Sequence, residues 1–520
     1  MTLRQERGHR PGQLRILPRI RTGGLAGSDA DLLVVAVEKA RRSMPDFLKP
    51  LDMAMQGTIS RAIATGDLKA GDGTLILYKS SRSGPTRVAL IGIGKDSPSG
   101  LDQIRKASVT VGGLASSLKA RHLAVALESY AGYKLEPSLL SRTIMEGIYY
   151  GAYRYDEHLT NPTEGQGPTQ IVLELITAGS TMQADRLADG LQQGAIVGTA
   201  VNMARTWANR PANLLSPDVL ATIARDLARR SRALTCKIHD HKWLARNRMG
   251  GILAVGAGSQ NRPCLIELRY RTRSGTHRPR IGLVGKAVTF DSGGISIKPS
   301  ADMDQMKLDK TGGAVVLATM QVIDQLGLDL AVIGLIPAVE NLPSGTSYRP
   351  GDIITTYAGK TVEVVNTDAE GRLILADALA YAGEQGCKVI VDIATLTGAC
   401  MVALGKYMAG LMGNDQQLIK QIQQAATLSG EPVWPLPCSD EYAEEIKGKV
   451  ADLRNTGSKW GGACTAAAFL RQFVGKARWV HLDIAGVDLL EGKGPHQPRG
   501  ASGFGVRLLS RFLEDLAARA

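Results

Sequence analysis

Short apolar runs rich in Val, Ile and Leu alternate with helix-spaced stretches twice along this chain. That alternation constrains its fold more than any other feature. Residues 31–37 (DLLVVAV), 74–79, 87–93, 122–127 and 170–176 read as strands, mostly bounded by Gly, Ser or Pro. Residues 101–120 and 137–155 read as helices between them, the second with a proline in its first turn. Beyond Gly251 the alternation resumes, with strands expected at 265–270, 281–284, 330–336, 389–393 and 480–484. Such a pattern predicts an α/β fold: two mixed α/β domains, the C-terminal one larger, with a central sheet flanked by helices. The expected divisions are a basic N-terminal tail at 1–28, an N-terminal α/β domain at 29–184, a linker helix at 185–209 and a C-terminal catalytic domain at 210–520.

Composition narrows the function classes. The chain has 520 residues, enough for two or three domains, and no apolar run of membrane-spanning length. Its six cysteines are scattered with no Cys-x-x-Cys pair, which fits a reducing, cytoplasmic setting and disfavours a disulfide scaffold or thiolate zinc site. The formal net charge is +13, and the first 28 residues hold six arginines against one acid, Glu6. A basic balance of this size suits a soluble protein with a basic surface or one attracted to nucleic acid. The pair His239 and His241 flanks Asp240, but no third ligand lies nearby in sequence, so these residues read as polar surface.

The chemistry gathers in two stretches. Residues 366–373 (NTDAEGRL) follow a β-branched run at 361–365 and precede a helix-forming run at 373–384, which puts them on a strand-to-helix turn. If strand geometry persists there, Asp368, Glu370 and Arg372 share one side. Alone, such a turn would be a solvated acidic loop. Upstream, residues 285–294 (GKAVTFDSGG) follow another strand and supply Lys286 and Asp291, with glycines that permit a sharp turn. Lys298 and Asp309 come next. Asp291, Asp309, Asp368 and Glu370 are four carboxylates on loop edges, an oxygen-rich set that suits Mg²⁺, Mn²⁺ or Zn²⁺ and is well used by a pair of ions. Metal-dependent hydrolysis follows, with amidase and phosphoesterase both open. Ser292 has no histidine partner in sequence, which disfavours a serine hydrolase.

These stretches resemble the leucyl aminopeptidase family, the dinuclear cytosol aminopeptidases. Residues 366–373 look like the family signature letter for letter. Residues 285–299 (GKAVTFDSGGISIKP), 392–405 (DIATLTGACMVALG), 479–486 (WVHLDIAG) and 501–509 (ASGFGVRLL) resemble its other blocks in order. The resemblance implies a metal-dependent aminopeptidase releasing leucine-like residues from short peptides, with two divalent ions, Mn²⁺ or Zn²⁺. Lys286, Asp291, Asp309 and Glu370 look like the ligands of the tighter ion. Asp291, Asp368 and Glu370 look like those of the more exchangeable one, with a backbone carbonyl at Asp368. Lys298 and Arg372 match the two catalytic positions, Arg372 holding a bicarbonate base with the backbone near Leu396. Met306, Asn366, Thr395 and Gly398 fall where the family lines the pocket for the substrate's first residue. The resemblance also implies a homohexamer, and some bacterial members bind DNA, which makes a DNA-binding regulatory role the alternative. The sequence departs from the commoner pattern at Lys310-Thr311, where the added cation beside Asp309 bears on metal preference, and the first 28 residues match nothing in the family.

Overall fold

The computed structural model describes residues 14–38, 44–65, 74–78, 84–93, 100–160, 167–179, 181–271, 279–492 and 498–519. The chain forms two compact units, one of residues 1–202 with 491–499, the other of residues 203–490 with 500–520. The division falls inside the helix Thr181–Asn209, at a position close to the expected linker, whereas the return of 491–499 to the first unit has no signal in the sequence.

The first unit carries a six-stranded sheet in the order Arg15–Thr22, Gln170–Thr177, His122–Ala126, Leu32–Glu38, Arg87–Ile93, Thr74–Tyr78. Neighbours are parallel except for the last pair. The run after Asp31 is apolar without alternation because both faces are covered. Leu32 and Val34 pack with Ile104, Val111 and Ile148 on one face, while Leu33 and Val35 pack with Leu48, Leu51 and Ile59 on the other.

The expected tail is in part a strand. Arg15–Thr22 pairs in register with Gln170–Thr177 at the sheet edge. Ile16 enters the core, and the arginines of this strand face outward, Arg21 reaching Glu174 at 3.0 Å. Arginine-rich composition hid the strand because an edge strand buries little and tolerates charge. Residues 23–28 of the expected tail follow the strand with a short turn at Leu25–Gly27, and residues 1–13 lie outside the described residues.

The second unit carries a larger mixed sheet of nine strands among the described residues. Its centre is four parallel neighbours: Arg478–Asp483, Cys387–Ala394, Arg280–Gly285 and Ala331–Asn341. Ala287–Asp291 continues beside the far half of Ala331–Asn341, pairing Ala287 with Ala338. Cys264–Tyr270 and Leu234–His239 extend one edge antiparallel, Ala409–Gly413 and Val433–Pro435 the other. The parallel strands therefore end together, and the residues at or just after those ends are Asp483, Thr395, Lys286, Asp291 and Asn341.

Two expectations fail here. The run at 361–365 is no part of this sheet: its strand is Thr361–Glu363, held between Ile353–Thr355 and Leu453–Arg454 in a small separate sheet. Of the pair His239 and His241, the first is not at the surface, while His241 is partly exposed. His239 is buried with Nε2 2.8 Å from Glu267 Oε2, because the pairing of Leu234–His239 with Cys264–Tyr270 turns it inward. Asp240 caps the following helix through the N–H of Trp243.

Candidate metal centre

Lys286 leaves the end of Arg280–Gly285 and crosses to the start of the helix Gly371–Glu384. Its ammonium lies 2.7 Å from Asp309 Oδ1 and 2.8 Å from Glu370 Oε1, and it donates to the Thr395 carbonyl at 2.8 Å. Thr395 also donates its hydroxyl to Asp309 Oδ1 at 2.7 Å. Asp291 ends its strand and accepts from the Gly293 N–H and from Asn341 Nδ2, at 3.0 and 2.8 Å. The turn after it needs glycine: Gly293 and Gly294 have φ of +87° and +68°, where side chains are strained. That turn sends Lys298 back over the cluster, 2.8 Å from Asp291 Oδ2 and 2.5 Å from Asp368 Oδ1.

The signature loop does not keep strand geometry. Glu370 is helical, at φ −77° and ψ −37°, and caps Gly371–Glu384. Glu370 is therefore buried, while Asp368 stays half-buried near Lys298. Asn366 is exposed and folds the loop by accepting from the Asp368 N–H at 2.8 Å. Arg372 shares no side with the two acids. It points into the protein and donates from Nη1 to the carbonyl of Asn455 at 2.9 Å, and its buried Nε finds no hydrogen-bond partner.

The electrostatics are those of a crowded, dry acidic site. Burial raises the Asp309 carboxyl well above the usual range, and Glu370 and Asp291 add to the rise against Lys286. Burial and Asp291 likewise raise Glu370. Burial acts against the charge on Lys286, but Asp309, Glu370 and Asp291 outweigh it, so its pKa is raised. Lys298 behaves the same way beside Asp291 and Glu370. Burial lowers Arg372 to about 10.

Carboxylate oxygens of Asp291, Asp309 and Glu370 lie within 4.8 Å of one another, all three residues buried. Asp309 Oδ2 is buried with no hydrogen-bond partner. Three converging carboxylates, one of which carries an unsatisfied oxygen, beside the Lys286 nitrogen form a donor set that fits a divalent ion. Ser292 donates to the Asn341 carbonyl at 2.8 Å and has no histidine beside it among the described residues, so it is part of the turn.

The remaining expected residues sit around this cluster in different ways. Thr395 supports it directly. The Leu396 N–H is taken by Asp483 Oδ1 at 3.1 Å, and Thr397 donates its hydroxyl to Asp483 Oδ2 at 2.7 Å. Gly398 opens the helix Gly398–Leu404 on an exposed face, with nothing within 4 Å of where a Cβ would stand. Met306 is half-buried on the turn Met303–Lys310 that delivers Asp309. Lys310 does not join the acids. Its Nζ donates to the carbonyl of Arg210 at 2.8 Å and to that of Lys307, and burial, with Lys307, lowers it to about 7.

Asn341, Asn455 and Asp483 escaped sequence reading. Each is a lone polar residue at or near a strand end with no spacing to mark it. Only the apolar strand ahead of Asn341 and of Asp483 hinted that a main-sheet end was near.

The fold and the cluster together define a two-domain α/β protein with a buried carboxylate cluster fit for a divalent ion. Residues 202–510 match the catalytic domain of the cytosol aminopeptidase family and residues 34–162 its N-terminal domain. A probable cytosol aminopeptidase of Alkaliphilus oremlandii is 39% identical over 490 residues, 94% of this chain and 97% of that protein. One from Geobacter sulfurreducens is 41% identical over 473 residues, 90% and 93% of the two chains. Among solved structures, a tomato leucine aminopeptidase mutant superposes with a TM-score of 0.87 at 32% identity, covering 98% of each chain. The bottromycin maturation enzyme BotP in complex with Mn gives 0.79 at 30% identity, covering 94% of this chain and 100% of that one. This chain belongs to the cytosol aminopeptidase family, and its chemistry is metal-dependent removal of N-terminal residues from peptides.

Proposed function

We propose that this chain releases leucine-like N-terminal residues from short peptides at a site for two divalent ions, Mn²⁺ or Zn²⁺. The observation that carries the reading is the buried trio Asp291, Asp309 and Glu370 closed around Lys286, with Asp309 Oδ2 unsatisfied. Lys286, Asp291, Asp309 and Glu370 would hold one ion. Asp291, Asp368 and Glu370, with the Asp368 carbonyl, would hold the other. When bound, the ions supply Lewis acidity toward the peptide carbonyl and toward a water.

The protein's own groups do the rest. Lys298, partly open to solvent, brings a fixed cation to the edge of the cluster, where it can steady negative charge growing on the carbonyl oxygen. Lys286 must lose its proton to act as a ligand, so it serves the site as a neutral amine. Arg372 keeps a buried cation behind the signature loop with Nε uncommitted, suited to hold a small anion such as bicarbonate as the base. Because the Leu396 N–H is already given to Asp483, Arg372 is the main grip on that anion. Met306, Asn366, Thr395 and Gly398 would border the pocket for the first side chain, an apolar space in keeping with leucine. A homohexamer working in the cytoplasm completes the reading; the relatives' name, cytosol aminopeptidase, supports the setting.

The test is hydrolysis of leucine amide by metal-stripped protein, with Mn²⁺ and then Zn²⁺ restored, beside Glu370→Ala. Turnover restored by metal and lost in the variant is the expected result. Folded protein inactive with both metals would overturn the reading.

A further inference from the structure

Asn455 lies far downstream of the signature loop in sequence, yet its side chain is hydrogen-bonded to that loop's backbone through both its amide oxygen and its amide nitrogen. It follows the strand Leu453–Arg454, which pairs in parallel with Thr361–Glu363, and its N–H donates to the Glu363 carbonyl at 3.0 Å. The side chain is wholly buried. Oδ1 accepts from the N–H groups of Val365 and Asn366, at 2.7 and 3.3 Å. Nδ2 donates to the carbonyls of Asn366 and Ala369, at 2.7 and 3.4 Å. Its own carbonyl accepts from Arg372 Nη1 at 2.9 Å. One residue thus brackets Asp368, touches the neighbour of Glu370 and fixes the guanidinium that follows.

We infer that Asn455 is a positioning residue for the reaction: it sets the signature loop and Arg372 as one body. The inference rests on the proposed role of Arg372. The chemistry calls for an amide. A side chain must accept at one atom and donate at the other, and among uncharged groups of this length only a primary amide does so. Buried backbone groups left unpaired would instead shift the loop, and shifts of about 1 Å at a catalytic group can cost about 10²-fold in rate.

The experiment compares Asn455→Asp, Arg372→Ala and the double variant, each checked for folding by thermal melt, with Mn²⁺ affinity read by calorimetry and kcat read at saturating Mn²⁺. Asn455→Asp keeps the acceptor but faces an oxygen toward the Asn366 carbonyl. The expected result is Mn²⁺ binding weakened about tenfold and kcat lowered about 10–100-fold, the range for groups that orient ligands. On the Arg372→Ala background the same change should cost less than about threefold in kcat, because the two act as a unit. A structural role alone would lower the melting temperature without this coupling. Should Asn455→Asp not fold, Asn455→Ser carries the same measurements. Unchanged kcat in the Asn455 variant beside an impaired Arg372→Ala overturns the inference alone, as do fully multiplicative effects. Unchanged kcat in Arg372→Ala removes the reading of that arginine, and this inference with it.

Discussion

A Cβ placed on Gly371 would stand 2.7 Å from Nζ of Lys286. The glycine of the signature is thus the gap through which a lysine from another strand reaches the acids. It is the first residue of the helix Gly371–Glu384, directly after Glu370. Gly371→Ala should therefore displace Lys286 from Asp309 and Glu370, and the buried ion pairs it breaks should lower the melting temperature as well. Activity on leucine amide is expected to fall at least about tenfold, with lower metal content by elemental analysis; the range matches loss of a group that orients ligands. Full activity would show that Lys286 need not lie where it does.

Metal binding should release protons. In the ion-free protein Lys286 is held charged; burial raises both Asp309 and Glu370, with Glu370 and Asp291 adding to the rise at Asp309 and Asp291 to that at Glu370. A divalent ion requires the amine neutral and the carboxylates ionised. Raised values mean that the free site holds protons the ion must displace, so apparent affinity rises with pH, about tenfold per unit for each proton released. Calorimetry with Mn²⁺ in buffers of different ionisation enthalpy counts those protons. A count of zero near neutral pH would contradict Lys286 as a ligand.

The two lysines should separate. Lys298 is partly open, with 21% of its side chain exposed, while Lys286 shows 3%. Lys298→Ala is expected to lower kcat by about 10²–10³-fold, as for loss of a preorganised oxyanion donor, with metal content retained. Lys286→Ala should lose metal first. Equal loss of metal and turnover in Lys298→Ala would make Lys298 a structural ion-pair partner.

Asn341 joins the two halves of the centre. Its amide donates to Asp291 Oδ1 at 2.8 Å and to the Thr367 carbonyl at 3.0 Å. Asn341→Ala removes the group that aims Asp291 and frees the signature loop on that side. Metal affinity is expected to drop about 10–100-fold. Asp291→Ala should abolish turnover altogether, and its near-normal activity in metal-replete buffer would refute the ligand set.

Much of this was legible beforehand for a physical reason. Residues 32–37 and 281–284 are short runs without polar alternation, as strands covered on both faces are. Lys286, Asp291, Asp309 and Glu370 stood out because buried acids and a lysine between glycine-rich turns need a reason to be there. Strand parity puts Arg372 on the side of Asp368 and Glu370 only if strand geometry persists, and the loop is helical by Glu370. The strand Arg15–Thr22 is hidden in the sequence because its arginines outweigh Ile16, the one fully buried residue, and the partly buried Ile20.

Sequence by itself determined the α/β class, the two domains and the residue types of the centre, because hydrophobic period and local motif are short-range properties of a chain. Only the tertiary structure decided that the signature loop hangs from a small separate sheet, that Asn341 and Asn455 grip it, and that Asp483 takes the Leu396 N–H. Those contacts join residues distant in sequence, and a polar side chain has no period that tells which backbone group it will satisfy once the strands have brought them together.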